Sequence, residues 1–265
     1  MNKGRYAVRT AQCLALAAVF AALWLAPDVM DAFNRSGDEV WARVQQTGVI
    51  RFAIDPSYMP FGGLGSQNDF FGIDVDIANE LARRLGARAE FVMTGRDSLY
   101  DVLTVGQADV TISALNVDPA REGKWRYSTP YFDAGQVFVW RGAASADAAA
   151  LRLAVEFGSE GDAAARRWAR RHAGVMVLPY DTVEAALAAL SRGEAEAAIV
   201  DAISARQWIP QVYANLEVGE FAARDPLAMA VWGESTQLLA AIDRGLADMQ
   251  RDGALDAIIA RWLER

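Results

Sequence analysis

Histidine and cysteine are nearly missing from this chain: in 265 residues each occurs once, as His172 and Cys13. One imidazole, placed among the arginines of RRWARRH, supports neither a His-based metal centre nor a Ser-His-Asp hydrolase, and no cofactor or metal is implied. Cys13 lies near the N-terminus, so everything after it is free of cysteine and must be held by packing rather than disulfides. Basic clusters are also scarce. The formal charge is -8 and RRWARR (Arg166 to Arg171) is the one dense basic run, which excludes a general affinity for nucleic acid and reads as a solvated helix face.

What is plentiful is apolar: 53 % of the residues, enough to bury a good core in one large domain or two lobes. At the N-terminus Lys3, Arg5 and Arg9 precede CLALAAVFAALWLA (Cys13 to Ala26), the charge-then-apolar order of an export signal. The run falls short of the about 20 residues that a bilayer core asks for, although Pro27, Val29, Met30, Ala32 and Phe33 could lengthen it, and no clean A-x-A site follows. Residues 1–33 are therefore expected to be a signal peptide or a membrane anchor, with cleavage the favoured outcome. The run has no polar face, which argues against a cytosolic amphipathic helix. Cys13 precedes the apolar run and follows the polar TAQ, which argues against a lipid anchor.

Beyond the polar junction NRSGDEVWARVQQTG, where DEVWARVQQ reads as a short helix, strands and helices alternate. VIRFAI is a strand; FGIDVDIANELARRLG is a short strand and a helix stopped by Gly86; ARAEFVM is a strand. DSLYDVLTVGQ is predicted to be a helix capped by Asp97 or Ser98, followed by the strand ADVTISAL. The grammar then returns: strand LRLAVEF, helix GDAAARRWARRHAG ending at Gly174, strand VMVL, helix DTVEAALAALSRG begun by Asp181 or Thr182, and strand EAEAAIVDA. With Gly106 and Gly193 aligned, Ala114 falls opposite Asp201. Such alternation implies an open, mostly parallel sheet with helices on both faces, here built twice.

PYFDAGQVFVWRGAAS and AARDPLAMAVW read as two crossings between the halves, before the closing helices STQLLAAIDRGLADMQRDG and ALDAIIARWLER. The expected fold is α/β: two Rossmann-like lobes joined by a two-crossing hinge. Residues 45–135 and 226–265 would form a discontinuous first lobe and 136–225 the second, with a cleft at the carboxyl ends of the strands.

DPSYMPFG, GIDVDIANELARRLG, GQADVTISALNVDPAREGKWRYSTPYFDAGQ, GEAEAAIVD and ADMQRDGALDAIIARW, in this order and spacing, resemble the extracellular solute-binding proteins of family 3, amino-acid receptors that feed ABC importers. The resemblance runs from about Gly48 to Trp262 and implies the type II periplasmic binding protein architecture. It assigns roles residue by residue. Arg121 matches the arginine that grips a ligand α-carboxylate, and Asp201 the acid that receives its α-ammonium. That chemistry suits a planar cation and a carboxylate facing each other across a partly dry cleft. Asp55 and Tyr58 match residues that contact the ligand side chain; Ser113 and Leu99 match cleft-lining positions, and Asn116 keeps an amide where polar-amino-acid receptors place a hydroxyl. Ser159 and Glu160 occupy a loop whose amides help hold the carboxylate.

Each residue also has an ordinary role. Asp201 could cap the helix AISARQW, Arg121 could be a surface residue after Pro119, Asp55 a turn acid before Pro56, and Tyr58 a packed ring. Ser113 suits a strand end and Leu99 a core. Asp74 and Asp76 are explained by alternation and helix initiation rather than by a metal pair. Glu160 departs from the family pattern: either it points away and leaves the backbone N–H groups free, or it marks a cationic or differently posed ligand, and if it and Asp55 both face the cleft they favour a basic side chain. The expected activity is reversible capture of a polar or basic amino acid, not catalysis, by a monomeric, periplasmic or extracytoplasmic protein that delivers its ligand to an ABC permease. The rivals are a cyclohexadienyl dehydratase-like enzyme on the same fold, with Glu156, Glu160 or Asp201 as its acid, and a membrane-tethered sensor.

Overall fold

The computed structural model describes residues 37–142 and 151–264; the N-terminal export or anchor segment lies outside them. Two five-stranded sheets dominate, and they are built alike. The first has the order β4-β1-β5-β14-β6, from Arg88–Met93, Val49–Ile54, Val110–Thr111, Ala230–Trp232 and Trp125–Tyr127. The second has the order β10-β9-β11-β8-β12, from Met176–Tyr180, Arg152–Glu156, Ala197–Asp201, Gln136–Arg141 and Leu216–Ala223. In each, the first three strands are parallel and the last two antiparallel to their neighbours.

Side-chain alternation gives each sheet two cores. On β1, Ile50 and Phe52 face one cluster and Ala53 the other. The first cluster is closed by α1 (Gly37–Thr47), α2 (Ile73–Arg84), α7 (Thr236–Arg251) and α8 (Ala254–Leu263), whose buried residues recur every three or four positions: Ile73, Ile77 and Leu81; Leu238, Ile242, Leu246 and Met249. On β11, Ala198 and Val200 face α5 (Val183–Arg192) and α6 (Ala202–Val212), while Ala197 and Ile199 face α4 (Glu160–Ala169). Central strands covered on both sides become nearly continuous apolar runs, as AAIV in β11 shows.

The chain passes between the sheets twice. It leaves the first through β7 (Phe132–Asp133) and returns through β13 (Pro226–Leu227), and these pair with each other antiparallel. Asp133 laces the crossings together, its Oδ1 accepting the N–H groups of Gly135 (3.0 Å) and Asp225 (2.8 Å). A Cβ at Gly135 would meet the Ala223 carbonyl, so the two crossings are packed backbone to backbone. Two Rossmann-like lobes on a two-crossing hinge is the architecture expected from the sequence.

Two helices differ from expectation. DSLYDVLTVGQ is not one capped helix: a 3-10 turn (Arg96–Ser98) leads to the short α3 (Asp101–Thr104), and neither Asp97 nor Ser98 caps it. The reason is tertiary. Leu99 is drawn into the core and its carbonyl, which a continuing helix would use, accepts the Thr111 hydroxyl at 2.8 Å. The helix GDAAARRWARRHAG stops at Ala169 rather than Gly174, with His172 turning back to stack on Trp168 at 3.9 Å.

Candidate functional site

Both sheets end in loops that carry the sequence-predicted residues. In the first lobe β1 runs into Asp55, which is buried and accepts the Ser57 N–H (3.0 Å) and hydroxyl (2.7 Å); its own N–H donates to Ser113 Oγ at 3.1 Å. Asp55 and Ser113 are thus brought together, joining the ends of β1 and β5. Tyr58 follows on the same loop. It is 48 % exposed, stacked on Phe61, with the Arg96 guanidinium 5.6 Å from its ring centre. An exposed aromatic face with a cation beside it is available for stacking on a ligand.

Beyond β5, Asn116 donates to Asp225 Oδ1 and so belongs to the hinge as much as to the cleft. Arg121 closes a 3-10 turn begun by Pro119 and capped by Asp118, whose Oδ1 accepts the Ala120 N–H. Its guanidinium bonds Asp118 Oδ2 at 2.9 Å and lies over the Tyr100 ring at 4.6 Å. The Tyr100 hydroxyl meets that of Tyr127 at 2.7 Å, and burial, then this bond, raises its pKa. Arg121 is therefore presented on an aromatic platform with half its side chain in solvent. Leu99, by contrast, is fully buried among Ala53, Val102 and Leu103: of its two readings, the structure places it in the core.

In the second lobe Asp201 ends β11 and caps α6, its Oδ1 accepting the Ser204 N–H at 2.8 Å. Ser159 caps α4 in the same way, accepting the Asp162 N–H at 3.1 Å. A Cβ at Gly161 would strike the Ile199 carbonyl at 2.7 Å, so glycine lets the start of α4 press against the end of β11. That approach brings Asp201, Ser159, Glu156, Glu160 and Gln136 round one pocket of about 150 Å³. Three carboxylates and no cation line it. Among the described residues no hydrogen bond or ion pair joins Arg121 to Asp201; the two stand on separate lobes.

A larger cavity of about 590 Å³ lies elsewhere, against the hinge strands and between Arg206, Phe221, Arg224, Leu255 and Ile259, and holds none of the predicted site residues. Sequence reasoning missed Gln136, which pairs with Asp201 across β11 and β8 and is legible only from register. It also missed the partners of Asp74. That residue does begin α2, but it is fully buried, with Tyr131 Oη at 2.8 Å and the Ala114 N–H at 2.7 Å. Burial pushes its carboxyl up to about 7, against the pull of these two bonds.

Known proteins resemble this chain in sequence and in overall build. The L-cystine-binding protein TcyJ of Escherichia coli K12 is 28 % identical over 228 residues, covering 83 % of this chain and 84 % of that one. ABC transporter arginine-binding protein 1 of the same organism is 25 % identical over 222 residues, covering 80 % and 90 %. In structure, a polar amino acid ABC uptake transporter substrate-binding protein from Streptococcus thermophilus superposes with a TM-score of 0.71 at 21 % identity, covering 85 % of this chain and 89 % of that one. The family model for bacterial extracellular solute-binding proteins, family 3, matches residues 50–265, and this chain belongs to that family.

Proposed function

We propose that this protein is an exported receptor that captures a basic or polar amino acid between its lobes and delivers it to an ABC importer. Lobe one comprises residues 45–135 and 226–265, and lobe two residues 136–225. Arg121 takes the α-carboxylate and Asp201 the α-ammonium; Asp55, Tyr58, Ser113, Asn116 and Ser159 line the same cleft. The observation that carries this reading is positional. Arg121 follows β5 and Asp201 ends β11, and these are the third strands of two parallel trios of the same order. A zwitterion held by both bridges the lobes, and contacts made in only one arrangement favour that arrangement.

The side chain of the ligand is read from the pocket beside Asp201. Glu156, Glu160 and Asp201 surround it without a cation, which favours a basic group, and an arginine-binding protein is among the relatives. The named relatives are binding proteins rather than enzymes, in keeping with capture without turnover. Among the described residues no helix is long and apolar enough to cross a membrane. Extracytoplasmic action follows from the family; tethering through residues 1–33 is the alternative to release, and the soluble form would be a monomer.

The test is a thermal-shift screen against the twenty amino acids, with ligand recovered and identified afterwards. L-arginine at about a hundredfold excess over its Kd should stabilise by about 2.7 kcal/mol and come back unchanged. Stabilisation by L-glutamate alone would sink the basic assignment, and chemical conversion would favour the dehydratase. N-terminal sequencing of the exported protein decides between cleavage and anchoring.

A further inference from the structure

Asp74 takes no part in the ligand chemistry above, yet it is a fully buried carboxylate with no cation among its hydrogen-bond partners. Its two oxygens serve two distant segments. Oδ2 accepts the N–H of Ala114, forty positions away, and Oδ1 the hydroxyl of Tyr131, fifty-seven positions away. Ala114 sits between Ser113 and Asn116 on the cleft edge of lobe one and has φ +42°, a left-handed conformation that a residue with a Cβ adopts only when its surroundings impose it. Tyr131 is the residue before β7, the first hinge crossing, and is 3 % exposed. One carboxylate thus brackets the start of α2, the cleft loop and the hinge.

We propose that Asp74 is a positioning residue for ligand capture: it holds the left-handed turn at Ala114 that aims the segment from Ser113 to Arg121 into the cleft, and registers that segment against the hinge through Tyr131. The proposal rests on the receptor reading and deepens it. Hydrogen-bond chemistry gives the bracket a polarity. The Tyr131 hydroxyl both donates and accepts, so it can reverse its bond when the carboxyl takes up a proton, whereas the Ala114 N–H can only donate. The proton therefore belongs on Oδ1, and Oδ2 remains the acceptor in both forms. Among the described residues Tyr131 is the titratable group that hydrogen-bonds it, and burial raises Asp74 to about 7, so both forms occur near neutral pH.

The experiment compares the full chain with Asp74→Ala and Asp74→Asn, reading backbone amide exchange at Ala114 by NMR and L-arginine affinity by calorimetry. Asp74→Ala is expected to speed exchange at Ala114 and weaken L-arginine by about tenfold each, the scale of one buried hydrogen bond. Asp74→Asn, which keeps an oxygen for the Ala114 N–H, is expected to restore both. A folded Asp74→Ala with unchanged exchange and affinity overturns the proposal; so does failure of Asp74→Asn to restore either, which would mark a general loosening. Should Asp74→Ala not fold, the pH profile decides. Corrected for intrinsic exchange, protection at Ala114 should fall as pH rises from about 6 to about 8 in the wild type, because opening the bracket frees a carboxyl that burial holds at about 7, and should stay flat in Asp74→Asn; a flat wild-type profile overturns the proposal. A wild type that binds no amino acid is a failure of the receptor reading, distinguishable because the exchange measurement needs no ligand.

Discussion

The two lobes repeat one order of three parallel strands, and each starts the helix that follows the middle strand of that trio with a buried acid, Asp74 in α2 and Asp162 in α4. Their partners differ. Asp162 accepts the Gly158 N–H at 3.1 Å and has the Arg166 guanidinium at 2.7 Å, with half of that arginine in solvent. Asp74 has a phenol and a peptide N–H but no cation. A carboxylate at the same place in two equivalent sheets is therefore an ordinary ion-paired helix start in one and a sealed, costly charge in the other. The difference teaches that lobe one carries a link to the hinge that lobe two does not duplicate.

The largest effects should separate the halves of the ligand site. Arg121→Ala is expected to weaken amino-acid binding a hundredfold or more, about 3 kcal/mol, because it leaves a ligand carboxylate without its cation. Asp201→Asn should weaken binding comparably while leaving α6 intact, since asparagine caps a helix as well as aspartate does. Calorimetry with circular dichroism on the same samples distinguishes the two roles, and unchanged binding in Asp201→Asn would reduce that residue to a cap.

Acid and base sharpen the contrast between Asp74 and Asp162. With a folded pKa of about 7 against 3.8 for the free group, Asp74 keeps its proton in the folded chain over a range where the unfolded chain has released it. Its contribution to stability is thus full below about pH 4 and is lost progressively as pH rises to about 7, by an amount of order 4 kcal/mol in all and of order 3 kcal/mol between about pH 5 and about 8. Urea midpoints at pH 5 and pH 8 should show this loss in the wild type and in Asp162→Asn, and not in Asp74→Asn. The same slope in all three would remove the distinction.

Smaller changes complete the series. Thr182 Oγ1 accepts the Ala185 N–H at 3.2 Å, so Thr182→Ala should cost about 1 kcal/mol of stability in lobe two, measured by thermal unfolding. Tyr58→Ala, at an exposed ring in lobe one, should move stability by no more than about 0.5 kcal/mol while changing which amino acids bind.

Most of the fold was legible because it rests on local periodicity. The alternation of VIRFAI and the four-residue spacing of Ile73, Ile77 and Leu81 announced their elements, as did the left-handed glycine at 193. The break at Leu99 was not, because it depends on a hydroxyl twelve residues later taking a helix carbonyl. Arg121 and Asp201 stood out through family resemblance rather than through local pattern, each having an ordinary role that the structure also displays: Arg121 bonded to Asp118, Asp201 capping α6. Asp74 was visible as a helix-starting acid, but its partners come from residues 40 and 57 positions away, and no short window contains them.

In the β-ladder register Asp201 pairs with Gln136, and Gln136 pairs in turn with Ala223. The first residue after one crossing, the last residue before the other, and the carboxylate assigned to the ligand thus form a single rung. A ligand bound to Asp201 would thus act directly on the residues that flank both crossings. If Asp201 takes the ligand ammonium as proposed, a substitution at position 201 is expected to change affinity and the ease of lobe closure together.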